Sequence, residues 1–161
     1  MSVPLTTAKT QLVAVAVEGL AALTPAVSAG GVHYFWHTED RFPYFTCRTG
    51  PDTVEFDSED FDRDTYNLIL RLVVGHLTAE YKGQNEAKLD TWIPHLKEYI
   101  NEREGLQSAA YLTQPNGLIR ARVTSITGFN AFPNSGLAVT QIGTDFTVTC
   151  EFDQTIVQAY N

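Results

Sequence analysis

The sequence YNLILRLVVGH, at residues 66–76, alternates between apolar and more polar side chains. Successive side chains of a strand point to opposite faces of its sheet, so alternate positions share one face. One face of this run is wholly apolar and consists of Tyr66, Leu68, Leu70, Leu72 and Val74. The other face is half polar and carries Asn67, Ile69, Arg71 and Val73. This pattern is typical of a sheet that is covered mainly on one side. We therefore predict a strand here, with its apolar face in the core.

The period changes to that of a helix between Gln84 and Arg103. One helical face collects the apolar residues Leu89, Trp92, Ile93, Leu96 and Ile100. Pro94 lies inside the pattern, and a proline both lacks the backbone N–H and clashes with the preceding turn, so it predicts a kink. We expect the two halves to remain one packing unit, with Trp92 buried against the sheet.

The flanking segments complete the order of elements. A helical stripe occupies residues 6–23, and Gly30-Gly31 is expected to break the chain after it. Predicted strands follow at HYFWH (33–37), YFTCRT (44–49) and 118–127, and a hairpin is predicted from 137–142 and 146–152 around Gly143-Thr144-Asp145. This order predicts an α+β fold in a single domain, residues 1–161. Its sheet is mixed or antiparallel, with the N-terminal helix and the kinked second helix packed on one side.

The composition is that of an ordinary globular domain, with 161 residues of which 43% are hydrophobic. The net charge is −8 and no basic cluster appears, which disfavours a protein that grips nucleic acid by its phosphates. The segment from Leu12 to Leu23, followed by PAVSA, resembles a secretory signal. Glu18 interrupts its apolar region, so we interpret it as mature structure. No apolar run approaches the roughly eighteen residues that span a bilayer.

An acidic segment, residues 52–64, holds seven carboxylates and one arginine, a net charge of −6. As a calcium loop starting at Asp57 it fails, because Phe61 takes the fifth position and Asp62 the sixth, where a turn glycine is needed. We interpret the segment as a solvated, electronegative rim. Its carboxylates at Asp57, Glu59, Asp60, Asp62 and Asp64 are candidate partner contacts.

The search for catalytic or metal-binding residues finds none. The two histidines of HYFWH are four residues apart, about 13 Å along a strand, which is too far for one metal ion. There is no Gly-x-Ser-x-Gly elbow and no phosphate loop. Cys47 and Cys150 fit no zinc spacing and are predicted to be buried free thiols. His76 and His95 are interpreted as packing or surface residues. The chain is therefore predicted not to be an enzyme and to use no cofactor or metal.

The block from Tyr66 to Leu106 resembles the tail terminator (minor tail) proteins of long-tailed bacteriophages. The shared features are an alternating strand running into Gly75-His76, the Tyr81-Lys82-Gly83 that follows, and Trp92-Ile93-Pro94 within an amphipathic helix. The exit Asn-x-Arg-x-x-Leu at 101–106 fits the same pattern. Downstream, Asn116-Gly117-Leu118-Ile119 with Arg120 and Arg122, then Thr127-Gly128, also fits.

The resemblance implies an α+β fold, no catalytic residues, and a homomeric ring that is usually a hexamer. Such a ring caps the tail tube at the end nearest the capsid. Its partners are further copies of itself, the tail tube protein and the head connector or completion protein. DNA passes through without specific binding. The implied location is the head-proximal end of the virion tail, after assembly in the host cytoplasm and without a membrane. The alternatives are another phage neck or tail assembly protein, or an unrelated small acidic binding module or enzyme.

The segment GFNAFPNSG at 128–136 is a second candidate contact. It places two phenylalanines and a proline between glycines, where a monomer would use polar turn residues. Phe129, Phe132 and Pro133 are therefore predicted to contact a neighbouring subunit, and the alternative is that both phenylalanines fold back on their own core. The role of the acidic segment has two readings as well. It lines the bore, where it would keep DNA from sticking, or it lies on an end face and selects a basic surface.

Overall fold

The structure is a computed structural model that describes residues 5–23, 28–32, 42–50, 55–56, 63–76, 82–102, 118–127, 130–133 and 140–153. These ranges contain two helices, α1 (Leu5–Ala21) and α2 (Lys82–Glu102), and seven strands. The strands are β1 (Ser28–Val32), β2 (Tyr44–Thr49), β3 (Glu55–Phe56), β4 (Arg63–His76), β5 (Leu118–Ile126), β6 (Asn130–Pro133) and β7 (Thr140–Asp153).

All seven strands belong to one sheet, in the order β1-β2-β4-β7-β5, with β3 added to β4 and β6 added to β7. β1 is parallel to β2, and every other pair is antiparallel. The sheet is therefore mixed, and the predicted α+β class is confirmed. Neither described helix has the length and hydropathy that crossing a bilayer requires.

Two long strands, β4 and β7, form the middle of the sheet. Each has 14 residues, which corresponds to about 45 Å of extended chain. The outer edge of β4 is lined by β2 and then β3, and the outer edge of β7 by β5 and then β6. The second line advances irregularly, because β5 shifts register against β7 twice, between Leu118 and Arg120 and between Val123 and Ser125.

The core lies between the sheet and both helices. The five predicted core residues of β4 (Tyr66, Leu68, Leu70, Leu72 and Val74) are all buried. They belong to one cluster with Leu12 and Leu20 of α1 and Leu89 and Leu96 of α2, so both helices cover the same face of the sheet. Full burial of a large apolar side chain contributes about 1.5–3 kcal/mol to folding. This cluster is therefore the main stabilising element of the described structure.

The second helix passes through Pro94 without a break and remains one packing unit, as predicted. Trp92 is only 8% exposed, and Ile93 is half-buried and packs against the core. Pro94 itself lies on the exposed surface of α2. The proline removes the N–H that would bind the carbonyl of Asp90. That carbonyl belongs to an exposed residue, so the helix tolerates the loss at this position.

The two helices are also locked together directly. His95 Nε2 donates a hydrogen bond to the Gly19 carbonyl oxygen (2.9 Å), and the Tyr99 hydroxyl donates to Glu18 Oε1 (2.8 Å). Gly19 is required at this crossing, because an added Cβ would lie 2.6 Å from the Tyr99 ring. These contacts agree with the interpretation of His95 as a packing residue.

One strand prediction near the N terminus needs correction. Gly30 and Gly31, which were expected to break the chain, lie inside β1. β1 is the terminal strand of the described sheet, and its pairing with β2 shifts register between Ala29 and Val32. Glycine weakens a strand interior, but a short irregular edge strand tolerates it. The predicted strand HYFWH (33–37) lies outside the described residues.

The predicted hairpin around Gly143-Thr144-Asp145 is wrong. β7 continues unbroken through these residues, which pair with Val73, Leu72 and Arg71 of β4. A Cβ added to Gly143 would lie 2.0 Å from the Leu72 carbonyl oxygen. The glycine therefore permits a close approach of two backbones, a second use of glycine in strands that local sequence does not distinguish from a turn.

Candidate assembly interface

The acidic segment is anchored at one end of the sheet. Glu55 and Phe56 of β3 pair with Thr65 and Asp64 of β4, so residues 57–62 connect two antiparallel strands. Asp64 also pairs with Phe152 on the other side of β4. Asp64 is thus part of the sheet, while Asp57, Glu59, Asp60 and Asp62 lie outside the described residues. The segment is therefore the connection of a β-hairpin, and its role as an electronegative rim stays a prediction.

The second predicted contact is divided in the same way. Phe132 and Pro133 belong to β6, where they pair with Gln141 and Thr140, so residues 130–133 form a strand and not a loop. β6 pairs with the same strand, β7, as β5 does, and follows β5 along its edge. Proline is acceptable there because this line of strands has no further partner in the described sheet. Phe129 lies outside the described residues, and the contact role of these three residues stays a prediction.

A surface that sequence inspection missed is the face of the sheet that points away from the helices, which we call the open face. Its end near Tyr44 is buried, since Tyr44, Thr46, Val73 and Gln141 are at most 1% exposed. The Tyr44 hydroxyl donates to Gln141 Oε1 (2.5 Å). The Thr46 hydroxyl is buried and has no hydrogen-bond partner in the described part of the chain.

The other end of the open face is accessible, and we call it the open half. It consists of Arg48, Asn67, Ile69, Arg122, Thr124, Thr147, Thr149 and Glu151. Arg48, Arg122 and Thr124 are exposed, and the others are half-buried. The open half combines both charge signs with hydroxyl and amide groups around one aliphatic side chain, Ile69.

An ion pair marks the boundary between the buried end and the open half. Arg71 Nε and Nη2 donate to Asp145 Oδ1 and Oδ2 at 2.9 and 3.1 Å. This bidentate geometry is the strong form of an arginine–carboxylate contact. Thr127 in turn holds the backbone of Asp145. The Thr127 N–H donates to the Asp145 carbonyl oxygen (3.0 Å), and the Asp145 N–H donates to Thr127 Oγ1 (3.2 Å). Arg71 is thus committed to a partner inside its own chain.

The open half contains a shallow hollow of about 210 Å³, lined by Arg122, Thr124, Thr149 and Glu151. The Thr149 hydroxyl donates to Asn67 Oδ1 (2.7 Å), and the Thr124 hydroxyl donates to the Thr147 carbonyl (3.2 Å). These bonds fix the small polar side chains against the sheet. Arg122 and Glu151 are the charged residues of this hollow, and Arg122 is exposed. Such a surface suits contact with another macromolecule by ion pairs and hydrogen bonds.

Metal-binding and nucleophilic groups do not form a site in the described residues. No cluster of three or more histidine, cysteine or acidic side chains is placed to hold a metal ion there. Cys47 and Cys150 are buried and unbridged, as predicted. Burial raises the pKa of Cys47 to about 12, although nearby Lys9 opposes the shift. Burial, and secondarily Cys47, raises the pKa of Cys150 well above its usual value. Since the thiolate is the reactive form, both thiols are inert at neutral pH.

Comparison with known proteins adds no identification, because neither a protein-family model nor a curated protein sequence matches the chain.

The open half escaped sequence analysis because its arginines are far apart in the chain. Arg48 and Arg122 are 74 positions apart and come to one face only through the register of β2, β4, β7 and β5. Alternation within β5 was the available signal, since it predicts that Arg120 and Arg122 share a face.

Proposed function

We propose that this chain is a structural assembly protein of the tail terminator kind. In this proposal it forms a homomeric ring, usually a hexamer in that family, which caps the phage tail tube at the head-proximal end and joins it to the head connector. The observation that carries the proposal is the open half, a polar sheet surface presented beside an acidic hairpin connection. The α+β class of the fold agrees with what the sequence resemblance implies.

The arrangement of surfaces suits a closed ring. In a ring each subunit uses two different and complementary surfaces, one for each neighbour. This chain offers an arginine-bearing sheet face and, at the end of the same sheet, a segment with a net charge of −6. A ring repeats both surfaces once per subunit. Tail tube and connector proteins would then contact the end faces, and DNA would pass without specific binding because the chain carries a net charge of −8.

The experiment that tests the proposal measures the native mass of the purified protein and images the particles by negative-stain electron microscopy. We expect ring-shaped particles whose mass is a multiple of 17.9 kDa. Some tail terminators assemble only on the tube, so a second arm adds assembled tail tubes from the same phage. Rings in solution, or protein bound at one end of each tube, support the proposal. A protein that remains monomeric in the first arm and leaves tube ends bare in the second contradicts it.

A further inference from the structure

We propose that the open half receives the acidic hairpin connection of a neighbouring copy of the chain. This inference rests on the proposed homomeric ring and adds which two surfaces meet. The contact is head-to-tail, because the sheet face of one subunit binds the segment 52–64 of the next. The partner chemistry is therefore a cluster of carboxylates supplied by a second copy.

The first observation is the distribution of arginines in the sheet. Five arginines lie in the described strands, and all five take register positions of the open face: Arg48, Arg63, Arg71, Arg120 and Arg122. The pairing partners of Arg48, Arg120 and Arg122 are Ile69, Glu151 and Thr149, in three successive cross-strand rows. The acidic residues Glu55, Asp145, Glu151 and Asp153 take register positions of the same face, so the five arginines leave it a small positive excess in a chain whose net charge is −8.

The second observation is which of these cations is uncommitted. Arg71 already binds Asp145 through two hydrogen bonds. Arg122 is exposed, and no described residue forms an ion pair with it, although Glu151 lines the same hollow. Arginine binds carboxylates in a planar, bidentate manner, and such charge-assisted bonds are stronger than neutral ones. Arg122 is therefore the residue around which a carboxylate ligand is expected to bind.

The third observation concerns the occupant. The segment 52–64 carries seven carboxylates and one arginine, and closely spaced carboxylates repel one another until a cation neutralises them. Its described strand residues, Phe56 and Asp64, pair with each other at the end of the sheet that borders the open half, where Thr65 pairs with Glu151. In the proposed ring, the carboxylates of one copy meet the open half of the next, which is a head-to-tail contact. Repetition of that contact closes a ring or extends a filament.

The contact is expected to set orientation and specificity, with the remaining area supplied by the surrounding side chains. A stable interface buries on the order of 1,000 Å² or more in total. The four residues that line the hollow cannot supply that area alone. Ile69, half-buried between Arg48 and Thr147 in the same cross-strand row, offers an apolar centre for the rest. Rim charges act mainly on encounter rate and on the choice of partner.

A zero-length cross-link tests the proposal. The variant Arg122→Lys keeps the charge and supplies an amine that a carbodiimide joins to a contacting carboxylate. Equal amounts of ¹⁴N- and ¹⁵N-labelled variant are mixed, assembled and cross-linked, and the tryptic peptides are analysed by mass spectrometry. We expect mixed-isotope links between position 122 and the peptide spanning residues 49–63. The parent protein, treated identically, is the control, since it has no amine at this position.

A charge reversal provides a second readout. Arg122→Glu should weaken ring assembly by about tenfold or more at low salt. The loss of one hydrogen bond to a charged group is enough to change an affinity by about that factor. Lys97→Glu, which makes the same change of charge at an exposed position on α2, should leave assembly unchanged. Rings that form normally, with position 122 linked only within one chain or not at all, overturn the inference and leave the proposed function intact. A parent protein that forms no ring on or off the tube overturns both.

Discussion

Gly143→Ala is expected to be among the most damaging single-methyl changes in the described sheet. The new Cβ would lie 2.0 Å from the Leu72 carbonyl oxygen and 2.9 Å from Val73 Cα. Cβ atoms do not approach backbone atoms within 3.0 Å, so β4 and β7 must separate by about 1 Å at the Val73–Gly143 pair, beside the register shift of their ladder. Overpacking of this kind costs about 1–3 kcal/mol. Each neighbouring ladder hydrogen bond that is lost adds about 0.5–1.5 kcal/mol. We therefore expect the free energy of unfolding to fall by about 3–5 kcal/mol.

The assay is equilibrium urea unfolding at one fixed protein concentration, because self-association changes apparent stability. Gly83→Ala is the matched control, since it adds the same methyl group within α2, where nothing lies within 4 Å. Alanine is the better helix former, so the control should gain up to about 1 kcal/mol. A Gly143→Ala protein within 1 kcal/mol of the parent would show that the two strands separate easily. The close approach of β4 could then not be the reason that β7 continues unbroken through Gly143.

Three further predictions concern the core, the acidic segment and the thiols. Trp92→Ala should lower the free energy of unfolding by about 3–5 kcal/mol, whereas Pro94→Ala should be mild because Pro94 is exposed; equal effects in urea unfolding would contradict the packing of α2. Neutralising the acidic segment should not lower the melting temperature, and a chelator should not change the melting of either protein; chelator-sensitive melting of the parent would reveal a bound cation. The four substitutions are Asp57→Asn, Glu59→Gln, Asp60→Asn and Asp62→Asn. Cys47 and Cys150 should resist a thiol reagent at pH 8 and both react in urea, since burial raises both pKa values; rapid labelling of the folded protein would count against this. Because these pKa values are raised in the folded state, stability is unaffected below the unfolded value of 9.0 and falls as the pH rises toward 12, which thermal melts at pH 8 and 10.5 would register.

Periodicity predicted the elements whose burial follows a single rule. The alternation in β4 and the helical stripes of α1 and α2 each correspond to one face turned toward the core, and the structure places those faces there. The path of β7 could not be predicted in the same way. Gly143-Thr144-Asp145 has the composition of a turn, and only the closeness of β4 across the sheet explains why it remains extended.

The candidate interface was predictable only in part. The acidic segment is contiguous, so its charge is visible in the sequence. That it connects two strands of a hairpin is known only from the two residue pairs between β3 and β4. The open half depends on the register of four strands, which sequence separation conceals. Arg48 and Arg122 come to one face through the registers of these four strands, although β4 and β7 lie between them. Hydrophobic patterning fixes which face of a strand is buried, but it does not fix which strands lie side by side.

The irregular register of β5 and β6 has a consequence for how copies of this chain can be crowded together. A straight, unpaired strand is a template on which another molecule's strand can add, and sheets that grow in this way aggregate. Here β5 shifts register against β7 twice within the described residues, and bulges of this kind bend a strand and increase its twist. The amide of Val123 is already bound by the side chain of Asn101, at 2.8 Å. Addition of a second molecule's strand to this edge is thereby discouraged.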